Sequence, residues 1–264
     1  MSHKLGFIGC GNMGRAIIKG VLAQGVLAPE DIVASARTQA TLDAASAEFG
    51  ICVTDNNLVP ADADIVFLAV KPQMYEDVLA QVAPALRQDA VLVSIAPGKT
   101  IEWLGEKSGA AKIVRLMPNT PAAVGEGMTS VVAGEGCTEE DLAAVLRIVN
   151  AYGKSEVIPE KLMDAACAVA GCSPAYVYMI IEAMADGAVL EGMPRAQAYR
   201  FAAQAVLGSA KMVLESGQHP GVLKDAVCSP AGTTIEGVRT LEQHGLRSAI
   251  IEALGATVKK AKSL

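Results

Sequence analysis

Leu5-Gly6-Phe7-Ile8-Gly9-Cys10-Gly11-Asn12-Met13-Gly14 is the stretch that decides the fold. Its first residues form an apolar run that reads as a strand, and Arg15 to Gln24 behind it reads as a helix. Between them lies Gly9-x-Gly11-x-x-Gly14. A glycine-rich turn also occurs in α/β proteins that bind no nucleotide. Placed between a strand and a helix, however, this spacing points to a dinucleotide. Gly9 permits a tight turn, Gly11 lets backbone approach a pyrophosphate, and Gly14 lets helix and strand pack closely. Cys10, Asn12 and Met13 are counted with the three glycines as cofactor contacts.

Working outward, short β-branched runs alternate with helix-like stretches. Leu5 to Gly9, Asp31 to Ser35, Ile65 to Val70, Val91 to Ile95 and Ile113 to Leu116 read as strands. Arg15 to Gln24, Thr41 to Phe49 and Tyr75 to Leu86 read as helices. Near-continuous apolar strands between helices predict a parallel sheet covered on both faces. Val131 to Ala133, a capped helix from Thr138, and Glu156 to Ile158 extend the unit. After Glu160 the strand signals stop, and Val169 to Gly171, Ala175 to Leu190, Pro194 to Glu215 and Leu246 to Lys260 read as helices. The reading is therefore an α/β, Rossmann-type domain over residues 1–160 and an all-α domain over residues 161–264.

Apolar residues make up 52% of the 264 residues and aromatics only 4%, so the core must be aliphatic. Ala175 to Ile181 is apolar nearly all round, and a helix of that kind must be buried. A helical half this small hides it best by dimerising, so a homodimer is expected, able to build larger homo-oligomers. With a net charge of −6 and no basic stripe, a nucleic-acid partner is not expected. The six cysteines show neither a C-x-x-C pair nor zinc-like spacing with the three histidines, so no metal is expected and a reducing cytoplasm fits. The strand signal begins almost at once, which leaves no room for a signal peptide. No apolar run reads as long enough to span a bilayer, so no membrane partner is expected.

The end of the second strand bears on the cofactor. An NAD site usually places Asp or Glu there for the ribose 2′-OH. Here the residues are Ala34-Ser35-Ala36-Arg37-Thr38, with Ser35 and Arg37 suited to a 2′-phosphate. NADPH is expected, with NADH as the second candidate. Ala69-Val70-Lys71-Pro72 and Met117-Pro118-Asn119-Thr120-Pro121 each follow a strand, where ligands of open α/β sheets bind.

In the helical half, Ser229-Pro230-Ala231-Gly232 is built from turn-forming residues. Thr233 and Glu236 stand at capping-box spacing, so a helix is expected to start there and to expose N–H groups suited to a carboxylate.

Taken together and in this order, these segments, with Ser173-Pro174-Ala175-Tyr176, resemble the pyrroline-5-carboxylate reductases along essentially the whole chain. The resemblance implies NAD(P)H-dependent reduction of 1-pyrroline-5-carboxylate to L-proline. It implies that Ser229, Gly232 and Thr233 hold the substrate carboxylate and that Thr234 accepts a hydrogen bond from the ring nitrogen. It places Asn56 on the adenosine part of the cofactor and the Ala69–Pro72 loop on its nicotinamide side; the Asn119 loop, stiffened by two prolines, can position a nicotinamide. A reductase of another cyclic imino acid, or an NADP-sensing protein on the same fold, stands as the alternative.

The residues fit an imine substrate. Only His3, His219 and His244 are present, none in a strand-end loop of the first half, and Ala165 to Ala185 contains no Lys. Both absences disfavour hydroxyacid dehydrogenases, which need a positioned proton carrier. A protonated C=N is already electrophilic and needs chiefly to be held and aligned. The chain departs from the family pattern at Ala231, where the first Gly of a Gly-Gly pair is usual. It departs also at Ala170 and Cys172 (usually Ser), at Ser173 (often Gly) and at Pro97. Ala at a position needing positive φ would cost stability.

Overall fold

The computed structural model describes residues 3–262. Among these residues the chain forms two compact units, one running through Cys172 and taking in the end of the chain from Val258, the other Ser173–Thr257.

The first unit is built around an eight-stranded sheet of order β3-β2-β1-β4-β5-β6-β7-β8. The elements are β1 (Leu5–Ile8), α1 (Asn12–Ala23), β2 (Ile32–Ser35), α2 (Gln39–Phe49), β3 (Cys52–Thr54), α3 (Leu58–Ala61), β4 (Ile65–Leu68) and α4 (Tyr75–Val82). They continue as β5 (Val91–Ser94), α5 (Ile101–Ser108), β6 (Lys112–Met117), β7 (Gly127–Ala133), α6 (Glu139–Val149), β8 (Gly153–Val157) and α7 (Met163–Ala166). Strands β1 to β6 are mutually parallel, and β7 joins β6 antiparallel.

In β1, β4 and β5 side chains on opposite faces enter separate aliphatic clusters. Leu5, Phe7, Phe67 and Val93 pack with Ile17, Ile18 and Val21 of α1, while Ile8, Val66, Leu68 and Leu92 pack with Tyr75, Val78 and Leu79 of α4. Burial on both faces is why these strands read as unbroken apolar runs. Thr138 starts α6 with a full capping box: its Oγ1 accepts from Asp141 N, and its own N–H donates to Asp141. Arg115 on β6 is buried and donates to Glu160 Oε1 at 3.0 Å, an oxygen that also accepts from Ile101 N.

From α7 the helix widens through a π-helical turn, Cys167–Cys172, and runs on into α8 (Ser173–Leu190). Glu160–Leu190 is thereby long and apolar enough to cross a membrane, contrary to the sequence expectation. The sequence reading missed the length because the turns before Ser173 join α8 end to end.

The second unit holds α8, α9 (Arg195–Ser216), α10 (Pro220–Val227), α11 (Thr233–Gln243) and most of α12 (Leu246–Ala261). Helices α8 and α9 pack together, and Tyr176 of α8 shares a hydrogen bond with Thr257 of α12. Within the single chain only Ala185 of α8 is buried. Tyr178, Met179, Phe201, Leu207 and Leu214 are all exposed by more than half.

The turn before α11 is closed by Gly232 N donating to Ser229 O at 3.0 Å. Pro230 and Ala231 are its central residues, and Ala231 has φ of +54°, the one non-glycine at positive φ among the described residues. That is the third turn position that normally requires Gly or Asn. At Gly232 a Cβ would lie 2.2 Å from Ser229 Oγ, so a side chain there would make the Ser229 hydroxyl turn away.

Ala231→Gly is expected to relieve the left-handed conformation by more than the added freedom of the unfolded chain offsets. The unfolding free energy should rise by about 0.5–1 kcal/mol. Urea unfolding at fixed protein concentration checks this as a raised midpoint with unchanged slope.

Candidate functional site

In the sheet order, β1 has β2 on one side and β4 on the other, so successive crossovers leave in opposite directions and open a crevice beyond the carboxyl ends of the strands. Gly9 turns the chain there at φ +99°, where a Cβ would come within 2.7 Å of the Ala69 carbonyl oxygen. Gly14 packs back on the turn, its Cβ position 3.1 Å from Gly9 O. A Cβ at Gly11 would meet nothing within 4 Å, so the middle of the turn opens onto free space. Gly11 is the N-cap of α1; no side chain caps the helix and no acidic residue stands in its first turn. The leading N–H groups and the positive end of the dipole are left for an anionic ligand.

A cleft of about 620 Å³ surrounds this turn. Gly9, Cys10, Gly11 and Asn12 line it from the turn, Arg37 from the end of β2, and Ala69, Val70 and Lys71 from the end of β4. No carboxylate lines it, whereas Arg15, Arg37 and Lys71 do. Arg15 is paired with Glu48, while Arg37 and Lys71 are exposed and form no ion pair among the described residues. Burial pushes the Cys10 thiol up, so it stays protonated beside a bound anion. A dinucleotide with an extra phosphate fits this donor set.

Other expected residues do not reach the cleft. Ser35 is fully buried, because the alternation of β2 turns its side chain inward; its hydroxyl donates to Asn57 Oδ1 at 2.7 Å, and Asn57 in turn donates to Gln81. Asn119 is also buried, its Nδ2 donating to Ala170 O at 3.0 Å and its Oδ1 accepting from Met128 N at 2.9 Å. Both of its polar ends are thus spent tying the loop after β6 to the π-helical turn and to β7. Asn56 is exposed outside the cleft, its Oδ1 accepting from Leu58 N at 3.0 Å in the turn that opens α3. Pro72 begins a 3₁₀ turn behind Lys71, and Met13 and Gly14 face the core side of α1. Thr38 and Met74, which the sequence reading did not single out, do line the cleft. Thr38 carries a signal, the Thr38-x-x-Thr41 spacing of an N-cap, and its Oγ1 accepts from Thr41 N.

In the second unit, Ser229, Gly232, Thr233 and Thr234 lie together on the turn and first residues of α11. The expected capping box does not form. Gly232 is the N-cap, no side chain caps the helix, and Glu236 pairs with Arg239. The bond closing the Ser229–Gly232 turn leaves Gly232 extended, at φ −80° and ψ 172°, and moves the helix start one residue earlier. Both threonine hydroxyls are therefore free and exposed, alongside N–H groups that no side chain satisfies.

Comparison with known proteins agrees with both halves. Residues 160–264 match the family described as pyrroline-5-carboxylate reductase dimerisation, and residues 4–98 match NADP oxidoreductase coenzyme F420-dependent. The pyrroline-5-carboxylate reductase of Escherichia coli K12 is 52% identical, over 100% of this chain and 99% of that protein. The solved pyrroline-5-carboxylate reductase of Coxiella burnetii superposes with a TM-score of 0.93 at 34% identity, covering 100% of this chain and 98% of the other. Plasmodium falciparum pyrroline carboxylate reductase, solved with NADP bound, gives 0.87 at 34% identity, covering 99% and 97%. The chain belongs to the pyrroline-5-carboxylate reductase family.

Proposed function

We propose that the protein reduces 1-pyrroline-5-carboxylate to L-proline with NADPH. The observation that carries this reading is the full-length match to a reductase of that name, which spans both the cleft after β1 and the Ser229–Thr234 turn. NADPH supplies the hydride when bound; the protein's tasks are to hold two anions and align one bond. A domain boundary at residue 160 is supported by the start of the dimerisation match there.

The turn Gly9–Gly14 and the first N–H groups of α1 receive the pyrophosphate. Arg37 takes the 2′-phosphate, and the absence of any lining carboxylate favours NADPH over NADH. Ser35, turned inward, supports this edge through Asn57, and Asn119 holds its loop in place of touching the cofactor. Asn56 has its Nδ2 free for the adenosine part, and Lys71 stands at the mouth of the cleft as a cation. Ser229 and the N–H groups of Gly232 and Thr233 hold the substrate carboxylate at the positive end of α11. Thr234, free of any capping duty, accepts from the iminium N–H and so orients the ring. The hydride goes to the imine carbon and its electron pair ends on nitrogen, so no side chain has to deliver a proton during the transfer: the ring nitrogen already carries one, and that protonation makes the imine electrophilic.

The exposed apolar faces of α8 and α9 are covered by a second copy of the chain, which makes the active species a homodimer, able to assemble further. The match of residues 160–264 to a dimerisation family supports a subunit over a lipid bilayer as the covering partner. Free cysteines throughout, Cys52 exposed among them, suit a reducing cytoplasm.

Steady-state oxidation of NADPH and NADH in the presence of pyrroline-5-carboxylate tests the activity directly. Arg37→Ala is expected to weaken NADPH by roughly ten-fold, the loss of one charge-assisted contact, and to leave NADH nearly unchanged. Equal loss for both cofactors would contradict the assignment. Thr234→Val keeps the side-chain shape and leaves the N-cap at Gly232 intact. It should lower kcat/KM for the imine by roughly ten- to a thousand-fold with NADPH affinity unchanged. Light scattering should show a dimer or a multiple of one at every concentration that supports activity. A stable active monomer would remove the argument from the apolar faces.

A further inference from the structure

Ala69, Val70, Lys71 and Met74 all line the nucleotide cleft, and all lie on the short connection between β4 and α4. One hydroxyl meets both ends of this connection. Tyr75, the first residue of α4, is fully buried, and its OH donates to the carbonyl oxygen of Leu68, the last residue of β4, at 2.6 Å. The Tyr75 phenol oxygen in turn accepts from Ser94 Oγ and from the backbone N–H of Ile95, each at 3.3 Å. Ser94 ends β5, so the phenol also ties the loop to the neighbouring strand end. Burial pushes the Tyr75 hydroxyl up to about 12, against the opposing effect of its hydrogen bond with Ser94, and it remains a donor.

The position of this loop matters because it meets the glycine turn directly. Ala69 N donates to Ile8 O at 2.8 Å, and Ala69 O is the atom nearest the Cβ position of Gly9. A displacement of Ala69 is therefore a displacement of the turn that receives the pyrophosphate. Only Tyr75 bonds to both Leu68 and Ile95 among the described side chains.

Building on the assignment of the cleft to NADPH, we propose that Tyr75 is a positioning residue for the cofactor: its buried hydroxyl closes the Ala69–Met74 loop and locks it to the end of β5. Tyr75 touches no reacting atom. It fixes the wall against which the cofactor lies.

Tyr75→Phe in the full-length protein keeps the ring and removes the bonds to Leu68 O and Ile95 N. NADPH titration by fluorescence should give a dissociation constant raised roughly five-fold, the loss of about one net hydrogen bond. At saturating NADPH, KM for the imine should be unchanged, and amide exchange should speed up at Ala69–Met74. A variant that only loses thermal stability, with NADPH affinity and loop exchange as in wild type, overturns the proposal. Ser94→Ala, which leaves the Leu68 bond in place, should shift NADPH affinity in the same direction by less. If Tyr75→Phe cannot be purified folded, Ser94→Ala decides alone, and unchanged affinity overturns the proposal. Wild-type protein that fails to bind NADPH would overturn the cleft assignment itself, a result distinct from equal binding by wild type and variant.

Discussion

The approach of Gly9 to the Ala69 carbonyl is the constraint on which the first unit depends. At φ +99°, and with 2.7 Å between a would-be Cβ and that oxygen, the position admits no side chain. The closeness follows from the pairing of β1 with β4, which places Ile8 opposite Leu68 and so sets Gly9 beside Ala69. Because the turn is this tight, α1 starts at once and Gly14 returns against Gly9 O. Uncapped N–H groups then end at the mouth of the cleft. One backbone clearance thus connects sheet register, helix position and anion binding.

The second unit obeys a different constraint. Its helices contain many of the chain's apolar side chains but give α8 only one buried residue. Exposed faces of this extent do not remain uncovered in water. Helix length alone does not tell a bilayer from a partner subunit, and Glu160–Leu190 meets the length of either. Composition has the same ambiguity: 4% aromatics leave little of the Trp and Tyr that mark either kind of boundary. The family match over residues 160–264, not hydropathy, is what points to a subunit.

Much of this was legible in the sequence, for identifiable reasons. The five central strands are buried on both faces, so each shows as an apolar run, and the Thr138 capping box stands in plain spacing. Strand β3 escaped notice because it is a three-residue edge strand with Cys52 exposed. Helix α5 escaped because it is eight residues long with Gly105 inside it. The π-helical turn has no spacing signature at all. Side-chain direction was the other gap. Ser35 and Arg37 are both near the end of β2, yet the first is buried in the sheet and the second lines the cleft. Asn119 shows the same limit: a polar residue in a strand-end loop looks like a ligand contact until its amide is found bonded at both ends.

The Ser229–Gly232 turn shows how a local cost is bound up with a site. Ala231 occupies a conformation that disfavours a Cβ, while a Cβ at Gly232 next to it would displace the Ser229 hydroxyl. Strain of this kind persists only where the surroundings over-determine it, and it gathers where geometry matters more than stability. Here the turn sets Gly232 as the N-cap, and that one-residue shift releases both Thr233 and Thr234 from capping. A helix start capped by Thr233 would have consumed one of those hydroxyls and one of the N–H groups. Hydride transfer to a protonated imine asks for such a seat and little else. On the proposed reading a free hydroxyl would orient the nitrogen and backbone amides would hold the carboxylate, and the turn leaves both unspent.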